Sequence, residues 1–529
     1  MSYWNLSFLA VFLPIVIILY NILPQKHRWK ILLLASYAFF WMISGKLIVY
    51  IIATTGLIYL GGLWLAKIQQ KRNEELENVE KEKKKEIKEK CIKKQRIVLT
   101  FLSLILLGIL VVLKYSGFII TNVDAIFKLI KAPITIPIPK FIMPIGISFY
   151  TLQAISYLID VYKEKIKADK NIGRLALFIS FFPQIMEGPI CRYSQTAESL
   201  WKCERTSYEN LMFGIQRIGF GLFKKALIVD RVNGAVLEIF NHYADYDGGI
   251  VALGAILYTL QLYMDFSGTM DVVIGIGQIF GVKLPENFKR PFFSKSISDF
   301  WTRWHITLGT WFRDYIFYPV SLTNRCKKIT TSARKKLGNY YGPLIASAIA
   351  LFCVWICNGL WHGSAWSYIF FGMYHFALII LAKIFEPLFK KIQAKLHINK
   401  NNFIYGCFEI VRTSILVCIG ELFFRAMSLT DGLNMFGKMI TNFSFASFVD
   451  GTVLKIGLDL PDFILINFVI IFVFIISILQ EKGIKIRESI AKKNIVIRWT
   501  LYFAFITVII IFGTYGLGYI PLNPMYANF

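Results

Sequence analysis

The sequence predicts an all-α, polytopic integral membrane protein with about eleven to twelve transmembrane helices and re-entrant or short helices between them. Three observations carry that expectation: an apolar excess, apolar runs of bilayer length, and basic residues confined to the connections between those runs. Of 529 residues, 56% are hydrophobic and 16% aromatic, and the mean hydropathy is +0.54. A soluble core of this length has no use for so much apolar surface. Runs near the roughly 17–25 residues that cross a hydrocarbon layer as helix recur from residues 5–23 to residues 499–518. The first has no basic segment before it and no small-residue cleavage site, so it reads as a retained span and not as a signal peptide.

The net charge of +26 sits between the apolar runs and forms no aromatic-interleaved module. Nucleic acid is therefore not expected as a partner, and membrane lipid is. Cytoplasmic loops are enriched in Lys and Arg, so each basic connection is assigned to the cytoplasm. These connections are the hairpin with Lys26, Arg28 and Lys30, the stretches 67–96, 163–174 and 283–336, the loop with Lys390, Lys391 and Lys395, and the stretch 482–493. With spans at 31–43, 47–66, 98–112, 141–161, 211–240, 250–264, 344–356, 366–384, 408–424, 463–479 and 499–518, the parity closes at about twelve, both termini extracytoplasmic. The stretch 67–96, dense in Glu and Lys, is expected to be a charged cytoplasmic insertion in the form of a solvated helix. Residues 175–190 do not fit a simple span, because Pro183, Glu187, Gly188 and Pro189 interrupt them. A broken or re-entrant element is expected there, and such backbone is tolerated at membrane depth only against protein or a water-filled cavity.

The chemistry concentrates in the core region 261–366. Asp265 and Asp271 interrupt apolar sequence, and an ionisable group at membrane depth is a functional suspect by default. The competing reading is a helix cap or an ion pair with a basic neighbour such as Arg303. Trp301, Trp304, His305, Trp311, Phe312, Arg313 and Asp314 crowd a short stretch, which fits interfacial anchoring as well as a site. Asn358-Gly-Leu-Trp-His362-Gly-Ser-Ala-Trp366 places a histidine at the end of an apolar run, with Gly359 and Gly363 beside it to admit another backbone or a substrate. Imidazole suits a group that takes a hydroxyl proton at neutral pH and returns it to a leaving group. His375 lies in a regular apolar run and is the weaker candidate. The eight cysteines form no CxxC pair, and neither histidine has a sequence-local partner at ligand spacing, so no metal site or disulfide scaffold is expected. There is no GxSxG elbow and no GxxxxGK[ST] loop, which argues against a serine nucleophile and an ATP-driven pump.

Eight segments in order resemble one family: FLPIVIILYNILP, PIGISFYTLQAISYLIDVY, FISFFPQIMEGPICRY, DFSGTMD, PENFKRPF, FWTRWHITLGTWFRDYIFYP, NGLWHGSAW and ELFFRAMSL. Together they resemble the membrane-bound O-acyltransferase family, in the branch of bacterial alginate O-acetyltransferases and their D-alanyl-transferring relatives. The resemblance implies one membrane domain over residues 1–529, with helices around a central chamber open from both faces. It makes His362 the catalytic histidine and His305 the second functional histidine. Asn358, Trp361, Trp366, Trp304, Asp314, Arg313 and Glu187 are then candidates for the chamber lining or substrate contacts, with Asp314 orienting a basic neighbour. Three features depart from the usual pattern: FYPVSLTNRCKK after the tyrosine–proline pair, Glu187 where a small residue is commoner, and the charged stretch 67–96.

The expected activity is transfer of an acetyl group from a cytoplasmic thioester, acetyl-CoA, to a hydroxyl of a cell-surface or secreted polysaccharide in the cell envelope. No cofactor is expected to stay bound, and the resemblance implies a secreted or membrane-anchored SGNH-hydrolase-like partner. Two alternatives stand beside it: D-alanyl transfer to teichoic acid from a carrier protein, and a transporter or flippase for a polymer precursor. The last would be supported by inverted halves, and no internal repeat is visible.

Overall fold

A computed structural model describes residues 2–77, 79–132 and 134–515. Every regular element among them is helical. Seven segments are long and apolar enough to cross a membrane by length and composition: Gln25–Glu77, Lys81–Leu129, Gly248–Ile279, Asn324–His362, Trp366–Lys395, Leu460–Glu481 and Ile495–Phe512. Phe8–Ile22 is a shorter apolar helix. The remaining apolar runs are also largely helical, most of them shorter or interrupted, while Phe403–Arg425 is a continuous helix of 23 residues. The last run, read from sequence as 499–518, is helical to Phe512, and its end lies outside the described residues. Leu104, Phe468, Phe503 and Ile511 are among many large apolar side chains that stay exposed. Lipid is the solvent that such a surface requires, and the chain is a multi-pass membrane protein.

The chain divides into two compact units. The first holds the chain up to Ile218 together with Val272–Pro285, and the second holds Gly219–Asp271 and the chain from Glu286 onward.

The first unit begins with α1 (Leu13–Ile22), α2 (Gln25–Ser44), α3 (Ile48–Glu77) and α4 (Lys81–Leu129). At about 1.5 Å per residue, the 49 residues of α4 far exceed a bilayer's roughly 30 Å. The excess is the charged stretch 67–96, which is therefore not one projecting helix. It is the end of α3 and the start of α4, separated by a break before Lys81. Arg72 on α3 meets both carboxylate oxygens of Glu164, the second at 3.0 Å, and this hydrogen bond lowers the Glu164 pKa. Such a fork-shaped pair fixes orientation as well as adding energy.

After α5 (Ile147–Tyr162), which is buried along nearly its whole length, comes α6 (Ile172–Ser180). The broken element expected at 175–190 is found: α6 stops at Ser180, and an irregular, buried segment runs on to Arg192. Its backbone groups are satisfied by protein, as burial demands. The amide of Phe182 donates to Ser36 Oγ at 3.0 Å, and the Tyr3 hydroxyl donates to the Phe182 carbonyl at 2.8 Å. Gly146 admits this segment. It has φ +70°, and a methyl group there would overlap the carbonyl oxygen of Ile185, so no other residue fits. The helices α7 (Tyr193–Lys202) and α8 (Tyr208–Lys224) follow, the second ending within the other unit.

In the second unit, α9 (Asp230–Asn241) is joined to α8 by a π-turn at Lys225–Val229, and α10 (Gly248–Ile279) runs on through Asp271. Residues 286–323 then form a chain of short pieces, α11 (Ile297–Arg303), α12 (Ile306–Phe312), a π-turn at Arg313–Phe317 and α13 (Tyr318–Ser321). The long α14 (Asn324–His362), bent at Gly338 (φ +79°), packs against α15 (Trp366–Lys395). α15 packs in turn against α16 (Phe403–Arg425). The unit is completed by α17 (Leu429–Thr441), α18 (Ala446–Val449), α19 (Leu460–Glu481), α20 (Ile486–Ala491) and α21 (Ile495–Phe512).

Candidate active site

His362 is the last residue of α14, where Gly363 leaves the helix in an extended conformation and α15 begins three residues later. It is 3% exposed. Gly359, Gly363 and Gly372 let α14 and α15 touch backbone to backbone. A methyl group at Gly372 would overlap the Trp355 carbonyl oxygen, one at Gly363 would overlap the Tyr368 ring, and one at Gly359 would stand 2.6 Å from the Tyr368 carbonyl oxygen. The two glycines read from sequence as room for a backbone or a substrate thus admit the neighbouring helix. The result is a fixed seat for the imidazole, walled edge-on by Trp361, Phe371 and Phe424 at centroid distances of 5.2, 5.9 and 5.0 Å.

His305 occupies the turn between α11 and α12 with φ +45° and ψ +50°. A left-handed conformation costs a non-glycine residue roughly 1–3 kcal/mol and collects at functional sites. The surrounding chain enforces it. The Ile306 amide donates to the Asn287 carbonyl at 3.0 Å, and the Lys289 amide donates to the Arg303 carbonyl at 2.9 Å, so PENF runs alongside the turn like a clamp. The ring is 2% exposed and meets Phe266 at 4.8 Å and Trp361 at 5.5 Å, both edge-on. This turn lies outside the seven candidate spans, and burial lowers the imidazole's pKa to about 3. It is neutral at any physiological pH.

Trp361 therefore touches both histidines predicted from sequence. Asn358 is one turn back on α14, buried, with its Oδ1 making no hydrogen bond among the described residues. Trp304 is buried among Tyr263, Phe288 and Phe300. The other candidates are placed differently. Trp366 is 55% exposed. Arg313 and Asp314 pair with each other at 3.2 Å on the π-turn, the arginine mostly exposed. Glu187 belongs to the first unit, where it is fully buried in the irregular segment after α6.

Asp265 and Asp271 are ion-paired, but not to Arg303. Lys225 Nζ lies 3.1 Å from Asp265 and 3.3 Å from Asp230, and Lys224 Nζ lies 2.7 Å from Asp271 and 3.1 Å from Ser267. Arg303 instead meets Asp299 at 3.0 Å and Glu481 at 3.1 Å. The widened turn at Lys225–Val229 brings two consecutive lysines onto α10, and the KK pair inside the apolar run 211–240 was the signal for it.

Two buried residues, Asn287 and Glu421, escaped the sequence reading, and a third, His375, is the weaker histidine candidate named there. Asn287 is 0% exposed and holds the His305 turn. His375 and Glu421 are 0% and 1% exposed, and neither makes a side-chain hydrogen bond among the described residues. The backbone next to Glu421 approaches His375: a methyl group at Gly420 would stand 2.7 Å from His375 Nε2. His375 also packs against Trp301, Trp355 and Phe371, and Phe371 is the ring that His362 touches on its other side. Glu421 sits in an apolar run, the same warning that drew attention to Asp265.

The description of the membrane-bound O-acyltransferase family matches residues 165–334, a stretch that holds Asn287 and His305 and ends before His362. The probable alginate O-acetylase AlgI of Pseudomonas syringae pv. tomato is 31% identical over 442 residues, covering 82% of this chain and 74% of that protein. The chain belongs to the membrane-bound O-acyltransferase family. Members of more than one specificity are similar to it. The peptidoglycan O-acetyltransferase of Helicobacter pylori is 29% identical over 62% of this chain and 61% of its own length. The teichoic acid D-alanyltransferase of Bacillus subtilis is 34% identical over 47% of this chain and 60% of its own length. The protein is thus an O-acyltransferase, and the transporter or flippase reading is set aside.

Proposed function

We infer that this O-acyltransferase moves an acetyl group from a cytoplasmic thioester, acetyl-CoA, to a hydroxyl of a cell-surface or secreted polysaccharide. The observation that carries the reading is the pairing of His305 and His362 on one indole, Trp361, in a chain similar over 82% of its length to a probable alginate O-acetylase. His362 acts as general base. It takes the proton of the acceptor hydroxyl as that oxygen attacks the thioester carbonyl; the C–O bond forms, the C–S bond breaks, and the proton passes to the departing thiolate. His305 is the second functional histidine. Asn358 and Trp361 line the space around the ring. Arg290 and Arg303 are neutralised by Glu481, so the donor's phosphates fall to the exposed cations of 283–336, among them Lys327, Lys328, Lys335 and Lys336.

The basic connections support a cytoplasmic position for these residues, with the protein in the cell membrane and both termini outside. Delivery to a polymer beyond the membrane would pass through a secreted or membrane-anchored SGNH-hydrolase-like partner. The similarity to the Bacillus subtilis D-alanyltransferase favours one second reading, D-alanyl transfer to teichoic acid from a carrier protein. It covers a much smaller share of this chain than the acetylases do.

Purified protein in lipid nanodiscs, given acetyl-CoA and a hydroxylated oligosaccharide, should release free thiol and form an ester-linked acetate. Turnover with an aminoacylated carrier and none with acetyl-CoA would replace the acetyl reading by the D-alanyl one. Mass analysis of surface glycans from cells with and without the gene identifies the polymer.

A further inference from the structure

The side chain of Asn287 meets three neighbours from the His305 turn. Its Oδ1 accepts from the Thr307 amide at 3.0 Å and from the Thr307 hydroxyl at 2.9 Å, and lies 3.3 Å from Nδ1 of His305. Its Nδ2 points the other way, 3.5 Å from the Met270 sulfur. A backbone N–H can only donate, so the atom facing Thr307 has to be the amide oxygen, and this fixes which way the amide is turned. An amide oxygen can only accept. The ring nitrogen beside it must therefore carry the proton, and in a neutral imidazole the other nitrogen then bears the lone pair.

We propose that Asn287 is a positioning residue that holds His305 as the Nδ1–H tautomer, so that Nε2 receives a hydrogen bond from an acceptor hydroxyl next to the reacting one, whose own single proton goes to His362. This rests on the reading of His305 as a functional residue. It assigns the two histidines distinct tasks. His305 orients the incoming acceptor through that neighbouring hydroxyl and offers no proton to the thioester carbonyl, so stabilisation of negative charge there falls to other groups. The neighbours support a ring kept neutral. His305 is packed by Phe266 of α10, Asn287, Thr307 of α12 and Trp361 of α14. On α10, Asp265 pairs with Lys225 and Asp271 with Lys224; Arg303 before the turn pairs with Asp299 and Glu481, Glu286 and Lys289 flank Asn287, and His362 is the other titratable ring. Burial alone lowers the His305 pKa.

The test is the pH profile of kcat/KM for acetyl transfer by the full-length protein in nanodiscs. In Asn287→Asp, the introduced carboxylate accepts the same three donors and keeps the tautomer, but a negative charge at this distance raises an imidazole pKa by about 1–3 units. The acid limb that protonation of His362 already gives wild type should steepen in the variant, toward about a hundredfold lost for each pH unit below both pKa values, with recovery toward wild type at alkaline pH. Asn287→Leu, which accepts nothing, should lose activity at every pH, and Thr307→Val should keep the wild-type profile. A wild-type-shaped profile in folded Asn287→Asp, alongside an inactive His305→Ala, overturns this inference and leaves the role of His305 standing. Full activity in His305→Ala overturns both. Melting temperatures separate a folded variant from a misfolded one, and the profile itself is a readout that a merely structural cap would not move.

Discussion

The rings of Trp361 and His305 meet edge to face, centroids 5.5 Å apart and planes 71° apart. Since Trp361 also abuts His362, the indole sets the spacing of the two imidazoles. Trp361→Ala should lower kcat about 10²-fold, the cost of letting a catalytic group drift by an ångström, with a smaller change in KM. Steady-state kinetics on the purified variant check this, and an unchanged kcat would remove the indole from the site.

The contact of α14 with α15 tolerates no side chain at Gly372. Gly372→Ala should push the helices apart, at roughly 1–3 kcal/mol for overpacking, and displace His362 with them. Gly437→Ala is the control, because nothing lies within 4 Å of a methyl group there. Melting temperature and acyl transfer measured together should fall in the first and hold in the second.

Lys225 is 3% exposed between Asp230 and Asp265. Removing one partner of a buried ion pair costs roughly 3–5 kcal/mol, because the charge left behind has no compensation. Lys225→Ala should therefore yield little monodisperse protein after detergent extraction, and pairing it with Asp265→Asn should recover part of the loss. Equal yields of Lys225→Ala and wild type would mean that the network bears no stability.

Glu421 and His375 are both deeply buried, neither with a hydrogen bond from its side chain among the described residues. A lone buried carboxylate is costly to keep. Glu421→Gln, of equal shape, should melt no lower than wild type and retain transfer. A fall of many degrees would show that the carboxylate has a charged partner essential to the fold.

Much of this was legible in the sequence because lipid imposes simple rules. Apolar length marked the helices, and Pro183, Gly188 and Pro189 marked the break after α6. The histidines were found because they stand in motif segments. Partners were harder, since pairing is a tertiary property: nothing local to Asp265 distinguishes Lys225, forty positions away, from Arg303. Asn287 was invisible for a related reason. An asparagine in a loop reads as a turn residue, and only the approach of Thr307 and His305 reveals its use. Trp366, flanking the same glycines as His362, is on the outside of its helix, a difference of orientation that spacing alone does not carry.

The most direct measurement is the ester-linked acetate released by mild alkali from the surface polymer of cells expressing His362→Ala at wild-type membrane levels. The expected result is the background of cells that lack the gene. Normal ester content in that strain would contradict the assignment of His362 as the base.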